Sequence, residues 1–251
     1  MSINRRALLN TLFVLGLSCC SGLAFSQSAE PIKAVTDATF PPMEFMENNK
    51  FTGFDIELVE AIGKQLNRPV QWTNVDFKGL IPSLTSQRAD IAVSGIYITP
   101  ERAQVVNFTK PYLTGGLVAV VKDSNTTINN HADLNGKSVS VQVGTKSVGW
   151  LHANMPGVRL VEVEKNQQMF NLVSIGRADA AVTGKPAAFQ YARTKGGVRI
   201  LPDPLTAEEY GIAVRKNQPQ LRDDINGAID QLKANGEYQK LTDKWFPATG
   251  Q

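Results

Sequence analysis

Cysteine and histidine are scarce: two cysteines, adjacent at Cys19-Cys20, and two histidines, His131 and His152, among 251 residues. Neighbouring thiols cannot staple a fold, and two histidines with no cysteine near them lack metal-ligand spacing, so neither a metal nor a cofactor is expected. Excess charge of one sign is also missing. The chain carries 26 Lys and Arg against 23 Asp and Glu, a formal +3, which gives no basic surface for a nucleic-acid partner. No Gly-x-Ser-x-Gly elbow occurs, so that route to a nucleophilic serine is closed. Gly144-Thr145-Lys146-Ser147 ends like a phosphate loop. However, Thr145 separates the glycine from the lysine, and Val139 stands where the leading glycine would be needed.

Long apolar runs are absent too. Ala7 to Leu17 is too short to cross a bilayer, but it follows Arg5-Arg6 and precedes the small-residue pattern Ala24-Phe25-Ser26. That order of charge, apolar core and small residues is a signal peptide over residues 1–26, cleaved before Gln27. The arginine pair suits either twin-arginine export or a plain basic leader. Cys19-Cys20 offers lipid anchoring as the lesser reading, because Cys19 stands where a small residue normally precedes the modified cysteine. Cleavage would remove both cysteines and lower the formal charge to +1. Stability must then come from a core, which about 225 residues can build as one body or divide between two lobes.

The remaining chain alternates strand and helix patterns. Strands are expected over 32–36, 70–75, 89–93, 117–121, 139–143, 159–163, 180–182, 198–201 and 210–214, with a hairpin over 43–54 turning at Asn48-Asn49. Ile56, Val59, Ile62 and Leu66 fall at helical spacing behind Asp55, which reads as the cap. Thr99-Pro100-Glu101 opens another helix, with threonine as cap and proline in the first turn. Further helices are expected over 80–86, 147–154, 166–175, 185–194, 220–235 and 237–244. The alternation implies an α/β fold with largely parallel sheets.

One set of motifs is more specific. Gly53-Phe54-Asp55, Asp76 to Leu84, Arg88 to Arg102, Phe108-Thr109-Lys110-Pro111-Tyr112 and Trp245-Phe246, in this order, resemble the polar amino-acid family of periplasmic solute-binding proteins of ABC importers. In pattern the chain is similar to the glutamine-binding member. The resemblance implies the two-lobed periplasmic binding protein fold (type II), with the ligand enclosed between lobes. It places the crossings near 112–117 and 208–211, with 27–113 and 208–251 as lobe 1 and 114–207 as lobe 2. It implies a monomer in the periplasm, an amino-acid-like ligand, the importer's membrane permease as partner, and no catalysis.

The resemblance also assigns the site. Arg102 matches the arginine that clamps a ligand carboxylate; its planar fork can donate two parallel, charge-assisted bonds. Thr99 caps that helix, and amides near Thr145 and Lys146 meet the carboxylate from the other lobe. Phe40 and Phe77 match aromatics that sandwich the ligand side chain, and Asp37 an acid that contacts it. Ser94, Gly95, Tyr97, Gln142 and Thr183 complete the pocket. Gly184 stands where the family has the aspartate that pairs with the ligand's ammonium, so recognition of an ordinary amino acid is incomplete there. An enzyme resembling cyclohexadienyl dehydratase, or a component presenting ligand to a sensor, are the alternatives.

Overall fold

A computed structural model describes residues 30–247. The expected leader, with its cysteines, lies outside the described residues. Strands β1 (Ile32–Thr36), β5 (Val70–Asn74), β6 (Ile91–Ala92), β7 (Val106–Phe108) and β15 (Ala213–Arg215) form a five-stranded sheet in the order β5-β1-β6-β15-β7. A second sheet contains β9 (Leu117–Lys122), β10 (Ser138–Gln142), β11 (Arg159–Val163), β12 (Ala180–Gly184) and β13 (Val198–Ile200), in the order β11-β10-β12-β9-β13. The two orders are one topology used twice. In each sheet four strands run the same way, three of them as adjacent parallel neighbours, and the fifth, β15 or β9, runs antiparallel to both its neighbours. The sheets are therefore mixed rather than largely parallel. Each antiparallel strand is the one that enters its sheet directly from a crossing between lobes.

The crossing is itself paired. β8 (Leu113–Thr114) lies antiparallel to β14 (Glu209–Tyr210), with Tyr210 opposite Leu113. The single strand expected over 210–214 is thus two, belonging to different sheets. The break falls at Gly211, where a Cβ would come within 2.8 Å of the Ile98 side chain. Three short strands, β2 (Thr39–Phe40), β3 (Glu44–Glu47) and β4 (Lys50–Thr52), make a small sheet beside the first lobe. Its turn places Asn48 and Asn49 at positive φ, which asparagine tolerates better than most residues.

Helices α1 (Phe54–Gln65), α2 (Leu80–Thr85), α3 (Pro100–Val105), α7 (Pro219–Ala234) and α8 (Glu237–Trp245) belong to the first lobe. The second has α4 (Lys146–Asn154), α5 (Asn166–Ser174) and α6 (Lys185–Lys195). In α7 the buried Leu221, Ile225, Ala228, Ile229 and Leu232 form one stripe at helical spacing. Each large apolar side chain buried in this way contributes about 1.5–3 kcal/mol before the entropy of ordering is subtracted. Asp55 does not cap α1. Gly53 does, at φ 122°, where a Cβ would lie 2.3 Å from the Met43 carbonyl oxygen. Asp55 instead turns inward, fully buried. No helix among the described residues is long and apolar enough to cross a membrane.

Candidate functional site

β1, β6, β10 and β12 all point their C-terminal ends at the space between the sheets, and the chain leaves each through a loop or helix start lining one cavity. Open α/β sheets bind ligands at such ends. The first lobe contributes Asp37, Phe40, Glu44, Phe77, Ser94, Gly95 and Tyr97. The second contributes Gln142, Thr145, Lys146, Ser147, Asn166, Met169, Val182, Thr183 and Gly184, and the crossing adds Leu117 and Tyr210. Of the residues expected at the ligand, Thr99 and Arg102 alone are not on this wall.

On the first wall Asp37 is 1 % exposed and well satisfied. Its carboxylate accepts from the Phe77 amide (3.1 Å), Thr39 Oγ1 (3.1 Å), Gln142 Nε2 (2.7 Å) and Lys165 Nζ (3.3 Å). Burial raises its pKa, and Lys165 only partly offsets this. Behind it Ser94 Oγ accepts from the Asp37 amide and donates to Glu44 Oε1 at 2.7 Å. Glu44 is fully buried beside Asp55, whose Oδ2 accepts from the Gly95 amide and the Tyr112 hydroxyl, while Glu44 Oε2 and Asp55 Oδ1 are buried with no hydrogen-bond partner among the described residues. Burial, then the neighbouring carboxylate, pushes Glu44 well above its ordinary value, and burial raises Asp55 as well.

The second wall is built from backbone and bases. α4 begins at the cavity with no side chain capping its first amides, since Thr145 Oγ1 donates back to the Gln142 carbonyl. Free amides in a first turn favour an anion. The Thr145 amide itself is occupied by the Gln142 carbonyl at 3.3 Å, which leaves the following residues to face the cavity. Lys146 Nζ lies 2.6 Å from Glu208 beside the crossing. Thr183 Oγ1 accepts from Asn166 Nδ2 at 3.1 Å.

Gly184 faces tyrosines. A Cβ there would lie 2.4 Å from Tyr210 Oη and 3.0 Å from the tip of Phe40. Tyr97 and Tyr210 stack at 4.4 Å, and their hydroxyls are 2.9 Å apart. The bonding pattern fixes the protons. Tyr97 Oη donates to the Gly116 carbonyl at 2.9 Å and accepts from the Gly116 amide at 3.0 Å. Tyr210 must therefore donate to Tyr97. Tyr97 has then used its donor and both lone pairs, whereas Tyr210 Oη keeps lone pairs free on the Gly184 side. The space beside Gly184 is occupied by a neutral acceptor, and burial holds the Tyr97 phenol up at about 12.

Arg102 lies on an adjoining groove with Phe77, Glu101 and Gly144. Thr99 caps α3 by accepting from the Arg102 amide, as its sequence position implied. The guanidinium donates to the Tyr97 carbonyl (3.0 Å) and to the Gly144 carbonyl of the other lobe (3.2 Å), and sits 5.6 Å from the Phe77 ring centroid. No carboxylate among the described residues pairs with it. Burial lowers its pKa to about 10, so it remains a cation at neutral pH.

Sequence reasoning missed Glu44, Asn166, Met169 and Tyr210 on the wall and Lys165 beside it. The signal for Lys165 was its place just past the end of β11, where parallel strands open onto a cleft. Tyr210 gave no such signal, since only the crossing brings it opposite Gly184. Among the described residues no cluster of His, Cys, Asp and Glu could hold a metal.

Two sheets of one topology, joined by a paired crossing around a lined cavity, define a type II ligand-capturing receptor. Residues 32–248 match the bacterial extracellular solute-binding proteins, family 3, and the chain belongs to that family. It is 34 % identical over 228 residues to the ABC transporter arginine-binding protein 1 of Escherichia coli (strain K12), covering 88 % of this chain and 93 % of that one. An ancestral arginine-binding protein bound to glutamine superposes with TM-score 0.82 at 38 % identity, covering 86 % and 97 % of the two chains. The ancestral amino-acid-binding protein AncCDT-1, a precursor of cyclohexadienyl dehydratase, gives TM-score 0.81 at 38 % identity over 86 % and 95 %. As a member of that family, the chain is a solute-binding protein.

Proposed function

We propose that this chain is the exported receptor of an ABC importer for amino acids, working in the periplasm as a monomer once residues 1–26 are removed. Lobe 1 comprises 27–113 and 208–251, and lobe 2 comprises 114–207. The ligand is a small amino-acid-like carboxylate that bridges the two walls and stabilises the closed form, which the permease recognises. The observation that carries this reading is Arg102. Among the described residues it is a guanidinium without a carboxylate partner, held at the lobe boundary on the Tyr97 and Gly144 carbonyls, with uncapped α4 amides on the opposite wall. A ligand carboxylate can replace those carbonyls with stronger, charge-assisted bonds. The ligand's amine would meet the Tyr210 oxygen rather than a carboxylate.

The test is to release co-purified ligand from the leaderless protein by gentle denaturation and weigh it. The protein is then incubated with that compound and with prephenate and arogenate. An amino-acid-like carboxylate recovered unchanged is the expected result. Steady enzyme-dependent conversion of any of the three would replace this reading with the dehydratase one.

A further inference from the structure

Lys165 stands just ahead of α5 on the second lobe, yet its ammonium lies against the first. Nζ is 2.6 Å from Asp76 Oδ1 and 3.3 Å from Asp37 Oδ1. Its backbone amide is tied to Gln168 Oε1 at 3.1 Å, which holds the residue at the helix start. The neighbouring Glu164 receives Lys78 across the same boundary at 2.7 Å. Asp37 lines the cavity, and Gln142 Nε2 fills its remaining place from the second lobe. Of the two acids on the cavity wall, Glu44 is fully buried and takes the Ser94 hydroxyl, and Asp37 is already supplied with an ammonium and an amide by the protein itself.

We propose that Lys165 is a resident cation that excludes basic amino acids from this receptor and selects ligands whose side chain ends in an oxygen acceptor, an amide or a carboxylate. This rests on the amino-acid receptor reading above and names the ligand class within it. A guanidinium or ammonium entering the cavity would have to desolvate beside Lys165 and compete with it for Asp37 and Asp76, so like charges would meet in a partly buried place. An acceptor meets the opposite situation. Lysine has three N–H donors; Asp37 and Asp76 take two, and among the described residues nothing takes the third, which can bind an oxygen. The relative named as an arginine-binding protein thus does not carry its ligand over to this chain.

Arginine, lysine, glutamine and glutamate are titrated calorimetrically into the leaderless wild type, Lys165→Gln, and Lys165→Gln combined with Asp76→Asn. The wild type should bind glutamine or glutamate and show no saturable heat with arginine or lysine. Lys165→Gln should gain arginine or lysine binding by about tenfold or more and lose affinity for the acceptor ligand. The double variant should lose much of that gain, because one of the two freed carboxylates is gone. A change of equal size for all four ligands would mean that Lys165 acts only as a latch between lobes, and would overturn the proposal. So would arginine or lysine binding best to the wild type, or a Lys165→Gln protein that still binds glutamine or glutamate but gains no basic ligand. In those last two cases the receptor reading stands. Binding of none of the four by any folded version would overturn this proposal, while the receptor reading is decided separately by the co-purified ligand.

Discussion

The two lobes share a strand order but face the cavity with opposite chemistry. The first lobe presents buried acids, Asp37 and Glu44, with Asp55 behind them. The second presents helix starts, the amide of Gln142 and the ammonium of Lys146, with Lys165 beside the wall reaching Asp37. Each sheet accepts its antiparallel strand from the crossing, so the walls are related by construction and differ only in what sits at the strand ends. Cross-lobe bonds therefore form readily, as between Gln142 and Asp37. Lys78 of the first lobe already pairs with Glu164 of the second; among the described residues the cation on the acidic lobe that lacks a carboxylate at the boundary is Arg102, and that exception suits it to an anion which both lobes approach.

Breaking the exception should produce the largest effect. Arg102→Ala is expected to weaken ligand binding by about 2–5 kcal/mol, since it leaves a desolvated carboxylate short of its charged partner. Thr145→Ala, on the opposite wall, should cost far less, because the anion contacts there come from the backbone. Calorimetry on both variants, with circular dichroism to establish folding, measures the contrast.

The next effect concerns the crossing. Gly184→Asp should destabilise the protein by about 1–3 kcal/mol, because the new side chain overlaps Tyr210 Oη. Adding Tyr210→Phe, which removes that oxygen, should recover part of the loss in thermal unfolding. No recovery would mean that the obstruction lies elsewhere.

The acid wall should also respond to pH. Glu44 and Asp55 have folded-state pKa values raised above 4.5 and 3.8, so the folded protein binds more protons than the unfolded chain between those values and the raised ones. Their contribution is fully present below about pH 4 and declines as pH rises through the folded values, near 6 for Asp55. Thermal unfolding from pH 4 to 8 should show this decline, and Glu44→Gln should flatten it. The smallest effect is expected at Lys78, whose exposed pair with Glu164 is screened by solvent and should fade further with salt. Lys78→Ala should leave unfolding almost unchanged.

Much of this was legible in the sequence. Local patterns found β11 at its observed limits, the Asn48-Asn49 turn and the Thr99 cap, because each depends on residues adjacent in the chain. The parallel pairing was overstated because a crossing strand has the same alternation whichever way it runs. Asp55 looked like a cap because acids commonly cap helices, and only the fold shows Gly95 and Tyr112 waiting for it inside. Gly184 read as a missing aspartate. Its replacement by Tyr210 depends on a residue 26 positions later in the chain.

Hydrogen exchange resolved by mass spectrometry, with and without the co-purified ligand, tests most directly whether both walls hold one ligand. The account predicts slower exchange at the amides of residues 94–102 on the first lobe and of residues 145–148 on the second, appearing together at saturation. Protection confined to one lobe, or none at a saturating concentration, would contradict it.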